Sequence, residues 1–157
     1  MGLPALECAE QLEWLSAELY ELAASRFGGD QDVRQLFERL QQEEIQHAYR
    51  LRMLRSQCVK DAGLARGLAL DASRIAPLLE TGAQAKKRLA TSELTLAEAL
   101  SLFVDLEAAF SSAHAESLTA EADPQLRTFF ESLAKQDEQH RRLLGAQGLS
   151  GLECPRR

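Results

Sequence analysis

Two short segments of the sequence each place an acidic residue three positions before a histidine. The first pair is Glu44 and His47, and the second is Asp137 and His140. Residues three positions apart leave the same side of an α-helix, so each acid is expected beside its histidine. Both pairs lie in the apolar stripe of their predicted helix, where an unpartnered charge is costly to bury. A bound metal ion would explain their presence.

The segments that carry these pairs are predicted to be long helices with clear start signals. Asp30 can cap the first, and Asp123 followed by Pro124 can begin the second. One more helix is expected before each of these segments. The helix before the second segment begins with a capping box from Thr95 to Glu98. The predicted helices cover about residues 4–27, 31–60, 95–120 and 124–144, with glycines at 145, 148 and 151 ending the last.

The two added helices each carry one acid at the centre of an apolar stripe. These acids are Glu13 and Glu107, and they lie 31 residues before Glu44 and 30 before Asp137. Caps, apolar positions and buried polar residues then correspond at an offset of 93–94, so the two helix pairs look like two copies of one unit. Folding each pair into an antiparallel hairpin brings its two acids to the same level.

Two such hairpins packed together predict an all-α four-helix bundle with a polar centre. Its inward set is Glu13, Glu44, His47, Glu107, Asp137 and His140. Four carboxylates at this density would repel one another and take up protons unless cations neutralised them. Carboxylate-rich ligation with one imidazole per ion suits two iron ions, with manganese as the alternative.

The remaining segments are predicted to be a crossover and a tail. Residues 61–94 would join hairpin 1 (about 4–60) to hairpin 2 (about 95–146), with short helices at 68–76 and 83–90 separated by breaks at Pro77 and Gly82. A second leucine stripe on the first helix, including Leu15 and Leu19, would meet either this crossover or another subunit. We expect one domain over residues 1–150, and a flexible tail at 147–157.

Composition narrows the function classes further. The net charge is −6 and no basic stripe stands out, so nucleic acid is not an expected partner. No apolar run approaches the length of a membrane-spanning helix. The three cysteines, Cys8, Cys58 and Cys154, are widely spaced, which favours neither a disulfide framework nor a thiolate zinc site. We therefore expect a cytoplasmic protein without membrane attachment.

The motif pattern resembles the ferritin-like superfamily, and most of all its rubrerythrin branch. The similarity rests on Glu13-x6-Tyr20 followed by Glu44-x-x-His47, and it covers about residues 5–60 and 93–146. The resemblance implies a four-helix bundle with a non-haem di-iron centre that reduces peroxide or oxidises ferrous iron with dioxygen or peroxide. Rubrerythrins receive electrons through a rubredoxin-type domain; since Cys154 stands alone, a separate electron-donor protein is expected if the protein is a peroxidase.

Three positions depart from that family pattern. Asp137 is one methylene shorter than the usual Glu, Val104 stands where rubrerythrins carry a further Glu, and His114 stands where the repeat suggests Tyr. Two of these departures, Asp137 and Val104, favour an alternative, a non-catalytic metal-binding or interaction module of the same fold. A storage cage is a third reading, and a homodimer or larger homo-oligomer is expected in each case.

Residues around the predicted centre have open roles. Tyr20 is either a core aromatic, a hydrogen-bond donor to a ligand carboxylate, or a relay for protons. His114 is either an extra ligand or a core histidine bonded to Glu107 or to a carbonyl. Glu18, Glu43 and Glu138 are expected on solvated flanks, with Glu138 as the substitute if Asp137 is too short to ligate.

Overall fold

The computed structural model describes residues 2–91 and 93–150 of the chain. It contains five helices, which are α1 (Gly2–Phe27), α2 (Gln31–Lys60), α3 (Ala72–Ala90), α4 (Leu96–Ala115) and α5 (Pro124–Ser150). The only β-type pairing within these two ranges is an isolated bridge between Leu68 and Leu118. The all-α prediction is confirmed: the four long helices are present, and a fifth, α3, lies in the crossover. Within the same ranges, none of the helices has a stretch apolar and long enough to cross a membrane.

The helix starts follow the capping signals in the sequence. The Asp30 carboxylate accepts hydrogen bonds from the backbone N–H groups of Asp32 and Val33, at 2.9 and 3.2 Å. Thr95 and Glu98 form the predicted capping box. These side chains satisfy backbone donors that the first helical turn leaves unpaired, which stabilises each helix at its N-terminus.

The helices pack in the two predicted pairs, α1 against α2 and α4 against α5. A buried aromatic group lies where the pairs meet. The Tyr20 ring lies 5.0 Å from Phe103 and 6.1 Å from Phe37, and these two phenyl rings are 5.7 Å apart in an edge-on arrangement. Large rings at this spacing hold α1, α2 and α4 together at one end of the polar centre.

The crossover differs from its prediction, because α3 is one helix of 19 residues rather than two short ones. Pro77 lies inside it, on the exposed side. Proline already has a helical φ angle, and Ser73, whose carbonyl would otherwise accept a hydrogen bond from residue 77, is exposed, so the helix continues through this residue. The expectation that Pro77 and Gly82 would break the segment was wrong.

Helix α3 packs against α1 and covers its second leucine stripe. A Cβ atom added at Gly82 would lie 2.6 Å from Leu15 Cδ2 and 3.9 Å from Leu19 Cδ1. The absence of a side chain at Gly82 therefore lets the two helices approach closely. Of the two partners considered for this stripe, the crossover is the one that lies on it.

The end of the predicted third helix is also different, since α4 stops at Ala115 instead of about residue 120. Residues after it pair with the crossover instead: the Ala69 N–H donates to the Ser117 carbonyl at 2.8 Å, and the Thr119 N–H donates to the Gly67 carbonyl at 2.9 Å. These bonds replace the helical ones that the segment would otherwise make.

Helix α5 extends beyond its predicted end near Leu144. Gly145 and Gly148 lie within it, and residues 147–150 are helical rather than part of a flexible tail. A glycine costs a helix only about 1 kcal/mol relative to alanine, which is too little to end one by itself. The remainder of the predicted tail, residues 151–157 with Cys154, lies outside the described residues.

Candidate metal centre

The side chains singled out in the sequence meet in the interior between α1, α2, α4 and α5. Each is at most 2% exposed, and the set comprises Glu13, Tyr20, Glu44, His47, Glu107, His114, Asp137 and His140. The hairpin geometry explains this convergence, because matching positions of the two helix pairs lie at one level. Four carboxylates and three imidazoles are thus buried together, where each must be paired or neutralised.

Glu13, Glu44 and His47 form the first group that could hold a metal ion. The Nδ1 atom of His47 lies 3.4 Å from Glu13 Oε2 and 3.3 Å from Glu44 Oε2. Ligand atoms of all three side chains lie within 4.8 Å of one another. One imidazole and two carboxylates at this separation can surround a single divalent cation.

Glu44, Glu107 and His140 form the second such group. The Nδ1 atom of His140 lies 2.8 Å from Glu44 Oε1 and 3.5 Å from Glu107 Oε1. Glu44 therefore belongs to both groups, with its Oε2 atom toward His47 and its Oε1 atom toward His140. A carboxylate shared in this way can bridge two cations.

Asp137 belongs to neither of these groups, although the sequence predicted it as a ligand. Its Oδ2 atom lies 2.6 Å from His114 Nδ1, and His114 Nε2 lies 3.3 Å from Glu13 Oε1. His114 thus lies between Asp137 and Glu13. A core histidine was expected to bond to Glu107 or to a carbonyl instead. The short Asp137 side chain contacts the imidazole of His114, which stands where the repeat suggests a tyrosine.

Tyr20 lies in the position expected for a donor to a ligand carboxylate. Its hydroxyl group donates a hydrogen bond to Glu107 Oε1. Burial, followed by the negative charges of Glu107 and Glu44, raises the pKa of Tyr20 well above its usual value. The phenol therefore stays protonated and acts as a hydrogen-bond donor to the Glu107 carboxylate.

Glu43 is a contact of the centre that was expected to be solvated. Its Oε2 atom lies 2.7 Å from His140 Nε2, and its Oε1 atom accepts a hydrogen bond from Arg39 Nε at 2.8 Å. Adjacency to Glu44 in sequence gave no reason to expect this, because neighbouring helical residues point in different directions. Only the packing of α5 beside α2 brings His140 to it.

The other two flanking acids behave as expected. Glu138 forms ion pairs with Arg141 and Arg142 on α5, and Glu18 pairs with Lys86 on the protein surface. Neither lies among the candidate ligand groups of the described residues. Glu138 therefore does not replace Asp137 in this structure.

The electrostatics of the centre are those of crowded buried acids. Burial, together with the negative charges of Glu107 and Glu13, raises the pKa of Glu44 to about 8. Burial alone would lower the pKa values of the histidines, but the adjacent carboxylates outweigh it and raise the pKa of His47 to about 10 and that of His140 to about 12. The pKa of Glu13 moves the other way, because the neighbouring imidazoles of His114 and His47 outweigh burial and hold it well below its usual range.

Several buried oxygen and nitrogen atoms of the centre have no hydrogen-bond partner, and a cation would satisfy them. Among the residues that the structure describes, the buried atoms without a hydrogen-bond partner are both carboxylate oxygens of Glu13, Oε1 of Glu44, Oε2 of Glu107, Oδ1 of Asp137, Nε2 of His47 and Nδ1 of His140. Buried polar atoms are normally satisfied, so a cluster of orphaned oxygen and nitrogen ligand atoms fits a metal ion. Carboxylate and imidazole donors without thiolate suit iron or manganese.

Comparisons with protein-family models, with curated proteins and with solved structures find no match to this chain. The description of the site therefore rests on the structure of this chain alone. Those side chains establish two Glu/His groups that could each hold a metal ion, joined through Glu44.

Proposed function

We propose that this protein is a ferritin-like four-helix bundle, formed by α1, α2, α4 and α5, that binds two iron ions. The observation that carries the proposal is Glu44, whose two oxygens face one histidine each, in two ligand groups that share it. A single structural ion would need only one such group. The orphaned carboxylate oxygens around Glu44 support the same conclusion, because two cations would satisfy them.

In this proposal the first ion is held by Glu13, Glu44 and His47, and the second by Glu44, Glu107 and His140. Asp137 completes the predicted set of six. Its Oδ2 atom is engaged by His114 Nδ1 at 2.6 Å, its Oδ1 atom has no hydrogen-bond partner among the described residues, and the residue lies in neither ligand group. We therefore assign Asp137 the weakest share of the binding.

The proposed reaction is the reduction of peroxide or dioxygen, either as a peroxide reductase or as a ferroxidase that takes ferrous iron as substrate. Two ferrous ions held by these residues would supply two electrons, which a separate donor protein would restore in a reductase. The protein side chains hold the protons: Tyr20 keeps one on its hydroxyl oxygen beside Glu107, and His114 holds one between Asp137 and Glu13. The aromatic group at Tyr20 keeps bulk water from this end of the centre.

Metal analysis of purified protein tests the proposal. Protein loaded anaerobically with ferrous iron is expected to hold two ions per chain by elemental analysis, and to oxidise on addition of peroxide, followed optically. Glu44→Ala and His47→Ala should lose iron. Glu38→Gln, an exposed acid of the same helix paired only with Arg34, is the matched control and should bind as the unmodified chain does. Failure of the unmodified protein to bind iron would refute the proposal.

A specific observation favours the alternative, a non-catalytic module with a polar cluster that holds itself together. Three histidines lie within hydrogen-bonding or ion-pairing distance of four carboxylates, so protonated imidazoles can offset most of the negative charge. Burial is outweighed by the charges of Asp137 and Glu13, which raise the pKa of His114 well above its usual value. In this case a chelator would leave the melting temperature unchanged, and peroxide would not be consumed.

A further inference from the structure

The two candidate ligand histidines, His47 and His140, have similar surroundings at Nδ1 and different surroundings at Nε2. Their rings lie nearly parallel, with centroids 5.7 Å apart and an interplanar angle of 13°. In both, Nδ1 faces the carboxylates, as the contacts to Glu44 at 3.3 and 2.8 Å indicate. The far nitrogen, Nε2, must then carry the ring proton whenever Nδ1 binds a metal ion.

Only one of these far nitrogens has an acceptor. Nε2 of His140 lies 2.7 Å from Glu43 Oε2, whereas Nε2 of His47 is buried and has no hydrogen-bond partner among the residues the structure describes. The other oxygen of Glu43, Oε1, accepts a hydrogen bond at 2.8 Å from Arg39, whose side chain is 53% exposed, so the contact of Oε2 with His140 does not involve the arginine. His140 is thus oriented from outside the centre, and His47 is not.

The sequence repeat does not restore the symmetry. Gln136 stands at the position of the second helix pair that matches Glu43, directly before Asp137. Its Oε1 atom accepts a hydrogen bond from Arg50 Nη1 at 3.1 Å, so it is occupied away from His47. A neutral amide in this arrangement gives His47 no counterpart of the Glu43 carboxylate.

An acceptor on the far nitrogen of a ligating histidine fixes the ring and makes its metal-binding nitrogen more basic. Removing such an acceptor commonly costs about 10–100-fold in metal affinity. We propose that Glu43 is a positioning residue that makes the ion held by His140 the tighter of the two, so that the protein fills its two metal positions in order. This inference rests on the proposed binding of two metal ions at this centre.

Calorimetric titration of the full metal-free chain with Co²⁺ tests the order of filling. The unmodified protein is expected to show two resolved dissociation constants. Glu43→Gln should weaken the tighter one by about 10–100-fold and leave the weaker one unchanged. Glu43→Asp should give the same loss, because it keeps the charge while shortening the reach. Circular dichroism confirms that each variant is folded, as expected for a side chain that is 28% exposed.

A matched control separates the histidine contact from the surface ion pair. Arg39→Gln removes the other partner of Glu43 and leaves the contact with His140 in place, so both dissociation constants should stay unchanged. A second readout is the exchangeable imidazole N–H resonance of the Co²⁺-loaded protein. One slowly exchanging, strongly shifted N–H signal is expected, and it should disappear in Glu43→Ala, which removes the acceptor altogether.

The outcomes distinguish this inference from the proposed function. Binding of two Co²⁺ ions with equal affinity, or equal effects of Glu43→Gln and Arg39→Gln, would overturn the role of Glu43 and leave the two-ion centre standing. Absence of Co²⁺ binding by the unmodified protein would overturn the centre itself, and this inference with it.

Discussion

At the scale of single residues, the centre is asymmetric in ways that a symmetric repeat conceals. His114 replaces the tyrosine that the repeat suggests, and it holds Asp137 at 2.6 Å. Tyr20, the matching residue of the other copy, instead donates to Glu107. Within the second helix pair, Glu107 therefore accepts a hydrogen bond from a phenol, whereas Asp137 contacts the imidazole of His114. These two partners set how freely each acid can turn toward a cation.

Asp137 is expected to contribute less to metal binding than Glu44. Its Oδ2 atom is already engaged by His114, whereas Glu44 belongs to both candidate ligand groups. Asp137→Asn should therefore weaken metal binding by roughly tenfold or less, within the range of residues that act through a ligand. Glu44→Gln should abolish binding of both ions. Calorimetric titration compares the two variants, and an equal loss in both would contradict the assignment.

Tyr20→Phe removes a buried hydroxyl and leaves the ring in place. Glu107 would then lose the donor on its Oε1 atom, which is expected to cost about 1–3 kcal/mol of folding stability in the metal-free protein. The number of bound ions should not change, because Tyr20 is not in either ligand group. Chemical denaturation measures the first effect and elemental analysis the second. Lost iron in Tyr20→Phe would mean that the phenol is itself a ligand.

At the scale of helices, the connection between the two helix pairs is fixed by backbone contacts as well as by α3. Gly67 is the central residue, with a φ angle of +85°. Its carbonyl accepts the N–H of Thr119, and the neighbouring Leu68 forms the bridge to Leu118. The crossover is thus joined to the loop between α4 and α5. Because α5 carries His140 and Asp137, this junction helps to hold the second half of the centre in register.

Gly67→Ala is expected to destabilise the protein by at least about 2 kcal/mol. The added Cβ would lie 2.4 Å from Ala122 Cα and 2.7 Å from its backbone nitrogen, and the positive φ angle disfavours any side chain. Gly29→Ala is the matched control, since its Cβ would meet nothing within 4 Å. Urea denaturation of both variants provides the measurement. A Gly67→Ala protein as stable as the control would show that the junction adapts without cost.

At the scale of the whole molecule, the buried centre works against the stability of the metal-free fold. Helix pairs, aromatic packing and α3 enclose four carboxylates and three histidines with almost no exposure. Charges in such an environment are costly unless protons or cations neutralise them. Protons and metal ions therefore compete for the same atoms, and the stability of the chain depends on both.

The metal-free protein is expected to lose stability as the pH rises from about 7 to about 9. The raised pKa values of Glu44, His47 and His140 mean that the folded state holds these protons more tightly than the unfolded chain, whose values are near 4.5 and 6.5. That stabilisation is complete below the unfolded values and is lost as the pH passes about 8, the value for Glu44, and then those of the histidines. Anaerobic thermal melts across this range measure the fall.

Metal loading should have the opposite pH dependence. Because Mn²⁺ must displace protons from these groups, its binding is favoured as the pH rises, and the increase in melting temperature that it produces should grow over the same range. Protons should be released into an unbuffered solution as Mn²⁺ is added. An increase in melting temperature that is independent of pH would place the ion away from the buried centre.

The sequence by itself determined the all-α class, the starts of α2, α4 and α5, and most of the residues of the buried centre. Capping at Asp30 and Thr95 is local chemistry, and the stripes that bury Glu13 and Glu107 follow from helical periodicity. The offset between the two helix pairs then indicated which side chains meet. The caps and stripes depend on residues within a few turns of one another, and the offset is a repeat in the sequence itself, so no tertiary information was required.

The tertiary structure alone decided which partner each of those residues takes. Pro77 lies inside a helix, where the residue whose carbonyl loses its partner, Ser73, is exposed. Gly82 lies at the contact with Leu15. Periodicity reveals neither of these facts. The partnerships of Asp137 with His114 and of Glu43 with His140 depend on how side chains 23 and 97 residues apart approach across packed helices. A sequence pattern specifies the face of a helix, whereas the distance and direction between two helices are set by packing.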